Sequence, residues 1–211
     1  MSRPSIPQRT RVFVGCEGES EQGYSRFVAA VTVDRGKPFA IDSHILKGGD
    51  PLSRIESAVK IIAQEMDKRG KYEFKFVFQD ADQSGLDADR DRQAADLARK
   101  HDILMIWQEP DHEGFVLLHF DHTERRHPTT KAQSMAAVKK VWSSYEKAST
   151  AKQYASKLGL ADLARAGQRH AGLNELLTAL KLVERPQAKA EKPAAIERPL
   201  RLIQLGGDES A

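Results

Sequence analysis

Short apolar runs alternate with longer amphipathic segments along the first half of the chain. Four runs, each rich in β-branched or aromatic residues, predict β-strands at 11–16, 39–46, 72–79 and 103–107. Three segments whose apolar residues recur at helical spacing predict helices at 20–33, 51–68 and 88–101. Because strands and helices alternate, the pattern predicts an α/β fold with a doubly wound, mainly parallel four-stranded sheet.

Polar residues at two helix starts agree with this pattern. Ser20 is a predicted N-cap of the first helix, because a serine hydroxyl can accept a hydrogen bond from the first turn. The segment Gly48-Gly-Asp-Pro51 predicts a turn, followed by Asp50 as N-cap and Pro51 in the first turn of the second helix. Residues 1–122 are therefore predicted to form one α/β core.

After Pro110 the pattern becomes wholly helical. Apolar spacing predicts helices at 112–121, 130–148, 151–157 and 160–183. We therefore expect an additional C-terminal helical region, 123–184, that packs on the core. Residues 185–211 begin with a stretch of Pro, Ala, Lys and Glu that cannot build a core, so they are predicted to be a flexible tail in which 200–205 could add a short edge strand.

Composition narrows the class of protein. With 211 residues, 40% hydrophobic and 30% charged, the chain is expected to be a soluble globular protein. Its apolar stretches are far shorter than the ~20 residues that cross a bilayer, and the amino terminus lacks an apolar signal core, so a cytoplasmic location without membrane contact is expected. Cys16 is the only cysteine, which excludes an internal disulfide.

Acidic residues follow two of the predicted strands. Asp80 and Asp82 come at the exit of the third strand, and Glu17 follows the first. If these strands are parallel neighbours, the three carboxylates converge at one edge of the sheet, where ligands of such sheets bind. Because such a cluster is costly unless a cation or protons neutralise it, the pattern favours a divalent-metal site.

The spacing of the two aspartates suits a hard cation. In an extended segment, side chains at i and i+2 point the same way, so Asp80 and Asp82 are expected to face one ion together. Mg²⁺ prefers oxygen ligands and keeps several waters, which leaves positions for substrate phosphate oxygens. Glu17 would be a third ligand or a general acid/base. The alternative is that Asp-x-Asp merely caps the next helix and solvates the strand end.

Positive charge is concentrated later in the chain. Residues 121–185 hold 12 Lys/Arg against 6 Asp/Glu. Arg125 and Arg126, continued by Lys139 and Lys140, could contact a nucleic-acid backbone. An ordinary solvated helix surface explains the same residues. The four histidines His112, His119, His122 and His127 have no cysteine partner and spread around any helix, so zinc is disfavoured.

Four motifs in the order of the chain resemble the RloB-like branch of Toprim proteins. They are Glu17-Gly-Glu-Ser-Glu21 followed by an aromatic helix, the Gly-Gly-Asp-Pro turn at 48–51, Asp80-Ala-Asp82 after an apolar strand, and Gln108-Glu-Pro-Asp-His-Glu-Gly-Phe-Val-Leu-Leu-His-Phe120. The last is similar to the family's Ser-Asn-Pro-x-Phe-Glu-x-Trp-Leu-Leu-Leu-His-Phe. It departs from that signature at Gln108-Glu109, His112 and Phe115. The resemblance covers about residues 10–180.

This resemblance implies a Toprim fold that cleaves or rearranges phosphodiester bonds with Mg²⁺. Carried over by position, it makes Glu17 the general acid/base, Asp80 and Asp82 the metal ligands, and Glu113 an additional acidic site residue. In the RloB-like group the activity is linked to bacterial restriction or anti-phage defence, which implies a defence-system partner protein.

The leading hypothesis is therefore a Mg²⁺- or Mn²⁺-dependent nuclease that acts on DNA or RNA. One rival is a binding module that recognises nucleic acid or a defence partner without turnover. Another is a phosphohydrolase in which Asp80 is the nucleophile, since Asp80-Ala-Asp82 is similar to the nucleophile loop of haloacid dehalogenases. The oligomeric state stays open.

Overall fold

A computed structural model of the chain describes residues 9–123 and 127–184. The elements follow one another as β1 (Thr10–Cys16), α1 (Glu19–Asp34), β2 (Phe39–Ile45), α2 (Pro51–Arg69), β3 (Phe74–Asp80), a 3-10 helix (Ala81–Gln83), α3 (Ala88–Lys100), β4 (Ile103–Gln108), α4 (His112–Leu117), α5 (Lys131–Val141), α6 (Ala151–Lys157), α7 (Leu160–Arg169) and α8 (Ala171–Ala179). Arg125, Arg126 and the predicted tail 185–211 lie outside the described residues.

The four strands form one sheet in the order β2-β1-β3-β4, and every pairing is parallel. The prediction of an α/β fold with a doubly wound four-stranded sheet and additional C-terminal helices is confirmed. The arrangement is consistent with a Toprim-like fold. Because β1 and β3 are direct neighbours, the carboxyl ends of these two strands meet at the same edge.

Alternation along the strands separates two apolar layers. In β1, Val12 and Val14 pack on one face while Phe13 packs on the other. The layer around Phe13 contains apolar residues of α2 and α3, such as Ile55 and Ala94. The opposite layer contains α1, α4 and the helices α5 to α8, so the late helices share a core with the sheet.

Three of the predicted late helices are shorter than expected. The helix predicted at 112–121 ends at Leu117. The helix predicted at 130–148 ends at Val141, because Trp142 leaves helical geometry (φ −138°, ψ 84°) and its indole Nε1 donates to Ser144 Oγ at 3.0 Å. The helix predicted at 160–183 is broken at His170. There the imidazole Nδ1 accepts a hydrogen bond from Leu173 N at 3.1 Å and so caps a new helix.

The prediction that Ser20 caps α1 is wrong. The N-cap is Gly18, whose backbone N–H donates to the Glu21 carboxylate at 2.9 Å. The Ser20 hydroxyl accepts instead from the backbone N–H of Ala148, at 3.0 Å, and so links α1 to the segment before α6. Within 9–123 and 127–184, helices long and apolar enough to span a bilayer are absent.

Candidate functional site

Glu17 and Asp80 meet at the carboxyl edge of the sheet. Glu17 is the first residue after β1, and Asp80 is the last residue of β3. The backbone N–H of Asp80 donates to Glu17 Oε2 at 3.2 Å. Two acidic residues 63 positions apart in sequence are therefore in direct contact.

The two aspartates are not arranged as predicted. After Asp80 the chain turns into a 3-10 helix, closed by a hydrogen bond from Ser84 N to Ala81 O at 3.0 Å, so Asp80 and Asp82 do not share an extended segment. The extended geometry expected from i, i+2 spacing is wrong, because a local turn competes with it. The turn still leaves both carboxylates beside one side chain, that of Lys131.

Two cationic side chains, those of Arg54 and Lys131, pair with the carboxylates of Glu17, Asp80 and Asp82. Arg54, from α2, places Nη2 2.7 Å from Glu17 Oε1, and its Nη1 donates to Gln79 Oε1 at 3.1 Å. Lys131, the first residue of α5, places Nζ 2.8 Å from Asp82 Oδ2 and 3.8 Å from Asp80 Oδ2. No local sequence pattern marks Arg54 or Lys131 as a member of the site. Tertiary packing of α2 and α5 places them beside the carboxylates.

Asp80 has the most perturbed environment of the three acids. The residue is only 7% exposed, and its Oδ1 is a buried oxygen with no hydrogen-bond partner among the described residues. Burial, and after it the charges of Glu17 and Glu21, raises the pKa of Asp80 to about 8, while Lys131 opposes that shift. Burial also raises the pKa of Glu17, and Arg54 partly offsets this. A buried carboxylate with one unpartnered oxygen and a raised pKa is typical of a functional site.

Three further polar residues surround this edge and escaped sequence analysis. Glu21 is buried and contributes to the raised pKa of Asp80, as does the charge of Asp111. Asp111 caps α4 through Oδ1, which accepts from Gly114 N at 2.9 Å. Gln108 lies opposite Asp80 in the pairing of β3 with β4. Gln108 Oε1 and Asp111 Oδ2 are both buried and lack a partner in the described part of the chain.

Of these three, Asp111 could have been found from sequence. An aspartate directly before a predicted helix start is an N-cap signal, and one that also follows a strand end lies at the ligand-binding edge. Glu21 has no local signal of a site role beyond its place in the motif that begins at Glu17. Its carboxylate closes the first turn of α1 and lies 3.8 Å from His112 Nδ1.

Glu113 lies on α4 and is buried. Its Oε1 accepts a hydrogen bond from the Tyr145 hydroxyl at 3.3 Å. In the described ranges, no hydrogen bond or ion pair joins Glu113 to Glu17, Asp80 or Asp82. Its role in the site stays a prediction.

The residues predicted to bind nucleic acid, and the histidines for which zinc is disfavoured, are only partly described. Lys139 and Lys140 are exposed in the last turn of α5, about 12 Å along the helix from Lys131. His112 Nε2 lies 2.8 Å from the Tyr154 hydroxyl, and His119 Nε2 lies 2.9 Å from the Tyr24 hydroxyl. Both of these imidazoles are buried in an aromatic cluster, as packing residues are.

Among residues 9–123 and 127–184, no three His, Cys, Asp or Glu side chains lie close enough together to hold one ion. The carboxylates are paired instead with Arg54 and Lys131.

No protein-family model, no curated protein and no solved structure matches the chain.

The Arg54–Glu17 pair gives a testable energetic expectation. Arg54 is 4% exposed, so Arg54→Met leaves Glu17 beside Asp80 without its cation and should lower the free energy of unfolding by about 3 kcal/mol at pH 7. Glu17→Gln added to that variant should restore part of the loss, because the unpaired charge is removed. Urea unfolding of the unchanged chain, of Arg54→Met, of Glu17→Gln and of the double variant measures the coupling.

Arg99→Met is the matched control. Arg99 is 76% exposed in its pair with Asp96, so its loss should change stability by less than about 1 kcal/mol. Equal effects of the Arg54 and Arg99 variants would contradict the description of a buried ion pair.

Proposed function

We propose that the chain is a metal-dependent nuclease of the RloB-like Toprim type, which cleaves phosphodiester bonds of DNA or RNA with Mg²⁺ or Mn²⁺. The observation that supports this most strongly is the buried, unpaired oxygen of Asp80 beside Glu17 at the carboxyl edge of a parallel sheet. A role in anti-phage defence, with a partner protein, is part of the same proposal and rests on the sequence resemblance.

The donor chemistry fits a hard divalent cation. Asp80 and Asp82, which both lie beside Lys131 Nζ, offer carboxylate oxygens, and Mg²⁺ needs only one or two carboxylates because it keeps several waters. The unpartnered Asp80 Oδ1 gains a partner when a cation binds. Burial raises the pKa of Asp80, and the charges of Glu17 and Glu21 raise it further, so the charge of a bound cation would oppose the shift. A bound Mg²⁺ would neutralise the scissile phosphate and orient the attacking water.

The side chains of the chain have separate roles in this scheme. Glu17 carries the proton. Burial raises the pKa of its carboxyl group, and an upward shift brings a carboxyl group closer to the neutral pH at which acid/base catalysis by it is most efficient. Arg54 orients Glu17 through the 2.7 Å ion pair, and Gln79 fixes the guanidinium in turn. Asp80 and Asp82 hold the cation. The exposed Lys139 and Lys140 provide positive charge for the nucleic-acid backbone.

One observation favours a second candidate, a binding module without turnover. Arg54 and Lys131 already set two positive charges against the three carboxylates of Glu17, Asp80 and Asp82, so most of the charge is offset without a metal. Such a module would bind nucleic acid through its basic helices with a steep dependence on salt concentration and would yield no product.

An assay of the purified protein on end-labelled DNA and RNA, single- and double-stranded, separates the two. We expect products with Mg²⁺ or Mn²⁺, none with EDTA, and a loss of at least about a hundredfold in Glu17→Gln, the size typical of a missing acid/base. Salt-sensitive binding without products under any metal condition would favour the module. Products that persist in EDTA would contradict a metal-dependent mechanism.

A further inference from the structure

We propose that Lys131 is a tethered counter-ion that competes with the divalent cation for Asp80 and Asp82 and leaves the site when the cation binds. This inference rests on the proposed function, because it presupposes that the two aspartates hold a metal. Lys131 lies outside the four sequence motifs. In this proposal its ammonium group lowers the affinity of the site for the metal.

The geometry places the ammonium group where the metal charge would be needed. Lys131 Nζ lies 2.8 Å from Asp82 Oδ2 and 3.8 Å from Asp80 Oδ2, so one cation already serves both carboxylates. Two positive charges about 4 Å apart repel each other by about 4 kcal/mol near a protein surface, and a divalent ion doubles this. The ammonium group and a divalent cation are therefore not expected to occupy the same two carboxylates together.

The backbone of Lys131 is fixed in a capped helix, while its side chain is half exposed. Lys131 is the first residue of α5, and Thr130 caps that helix with Oγ1 accepting from Gln133 N at 3.3 Å. The Lys131 side chain is 50% exposed, so its four-carbon stem can swing into solvent without disturbing the helix. Release restores rotamer freedom to the lysine, which lowers the cost of displacement.

Arg54 shows why only one of the two cations is exchangeable. Its side chain is 5% exposed, and its guanidinium bonds both Glu17 and Gln79. Moving it out would leave a partly buried glutamate and a buried amide without this partner, which is costly. Arg54 is thus a permanent partner of Glu17, whereas Lys131 is a removable partner of the aspartates.

Binding of Mn²⁺, measured through the electron paramagnetic resonance signal of the free ion, tests the inference directly. We expect Lys131→Met to bind Mn²⁺ about tenfold more tightly than the unchanged chain, because no ammonium group has to leave. Lys131→Arg keeps the charge and should bind no more tightly than the unchanged chain. Lys100→Met is the matched control, since Lys100 is exposed at the end of α3, at the opposite edge of the sheet, and should leave the affinity unchanged.

The outcomes separate this inference from the proposed function. If the unchanged chain binds Mn²⁺ and Lys131→Met binds it equally or more weakly, the inference is overturned while the metal site stands. If neither protein binds Mn²⁺ at millimolar concentration, both are overturned.

A second measurement uses the unchanged chain and needs no variant. Acetylation of lysine amines, followed by mass spectrometry, should proceed several-fold faster at Lys131 with Mn²⁺ than with EDTA, because the freed ammonium loses its carboxylate partners. Lys100 should react equally in both conditions. An unchanged rate at Lys131 under saturating Mn²⁺ would overturn the inference.

Discussion

The double variant Asp80→Asn/Asp82→Asn is expected to lose at least about a thousandfold in Mg²⁺-dependent cleavage, or about 4 kcal/mol of transition-state stabilisation, while it keeps its fold. The reason is that neutral amides bind a hard cation much more weakly than carboxylates do. The fold should survive because Asp80 Oδ1 makes no hydrogen bond within the described residues that asparagine would lose. Cleavage of labelled substrate and circular dichroism provide the two readouts.

Asp96→Asn is the matched control for this substitution. Asp96 is 58% exposed on α3, in a surface pair with Arg99, so the same acid-to-amide change there should leave the cleavage rate within about twofold. Cleavage by the double variant at the rate of the unchanged chain would contradict the assignment of Asp80 and Asp82.

The second large effect is on stability as a function of pH. The pKa of Asp80 is raised in the folded chain to about 8 from an ordinary value of 3.8, so between these two values the native state binds more protons than the unfolded state. Stability from this group is complete below about pH 4 and is lost as the pH rises toward 8. We expect the unchanged chain in EDTA to lose about 2 to 5 kcal/mol across this window relative to Asp80→Asn.

Comparison with Asp80→Asn isolates this one group, because the other titrating residues are common to both proteins. Urea unfolding at intervals from pH 5 to pH 9 gives the difference in free energy of unfolding directly. Parallel profiles for the two proteins would mean that Asp80 is ionised normally in the folded state. Addition of Mg²⁺ at pH 9 should close most of the gap, because it supplies the missing counter-charge.

The convergence of Glu17 and Asp80 was predictable from sequence. Each follows an apolar run of strand length, and alternating helices require parallel strands whose carboxyl ends share an edge. The pattern does not reveal strand order, and Glu17 reaches Asp80 because β1 and β3 are neighbours. Local turn chemistry was the weaker part, since the backbone hydrogen bond at Ala81 and Ser84 overrides the extended geometry expected for Asp82.

The basic members of the site were beyond reach of sequence reasoning. Lys131 looks like any lysine on an exposed helix, and only the packing of α5 beside α4 brings it to the aspartates. Arg54 comes four residues after Asp50, whose N-cap signal predicts helix α2. That signal does not reveal which face of α2 is buried against the sheet. In both cases the decisive contact joins elements far apart in sequence, which a local pattern cannot encode.

The most direct test of the central claim, that the acidic edge around Asp80 takes up a divalent cation, is calorimetric titration of the protein with Mg²⁺ at pH 7 in two buffers of different ionisation enthalpy. We predict binding that releases close to one proton, because Asp80, with its pKa near 8, is largely protonated before the cation arrives. The Asp80→Asn variant should neither bind Mg²⁺ nor release a proton. Absence of Mg²⁺ binding to the unchanged chain, or equal binding and proton release in Asp80→Asn, would contradict the claim.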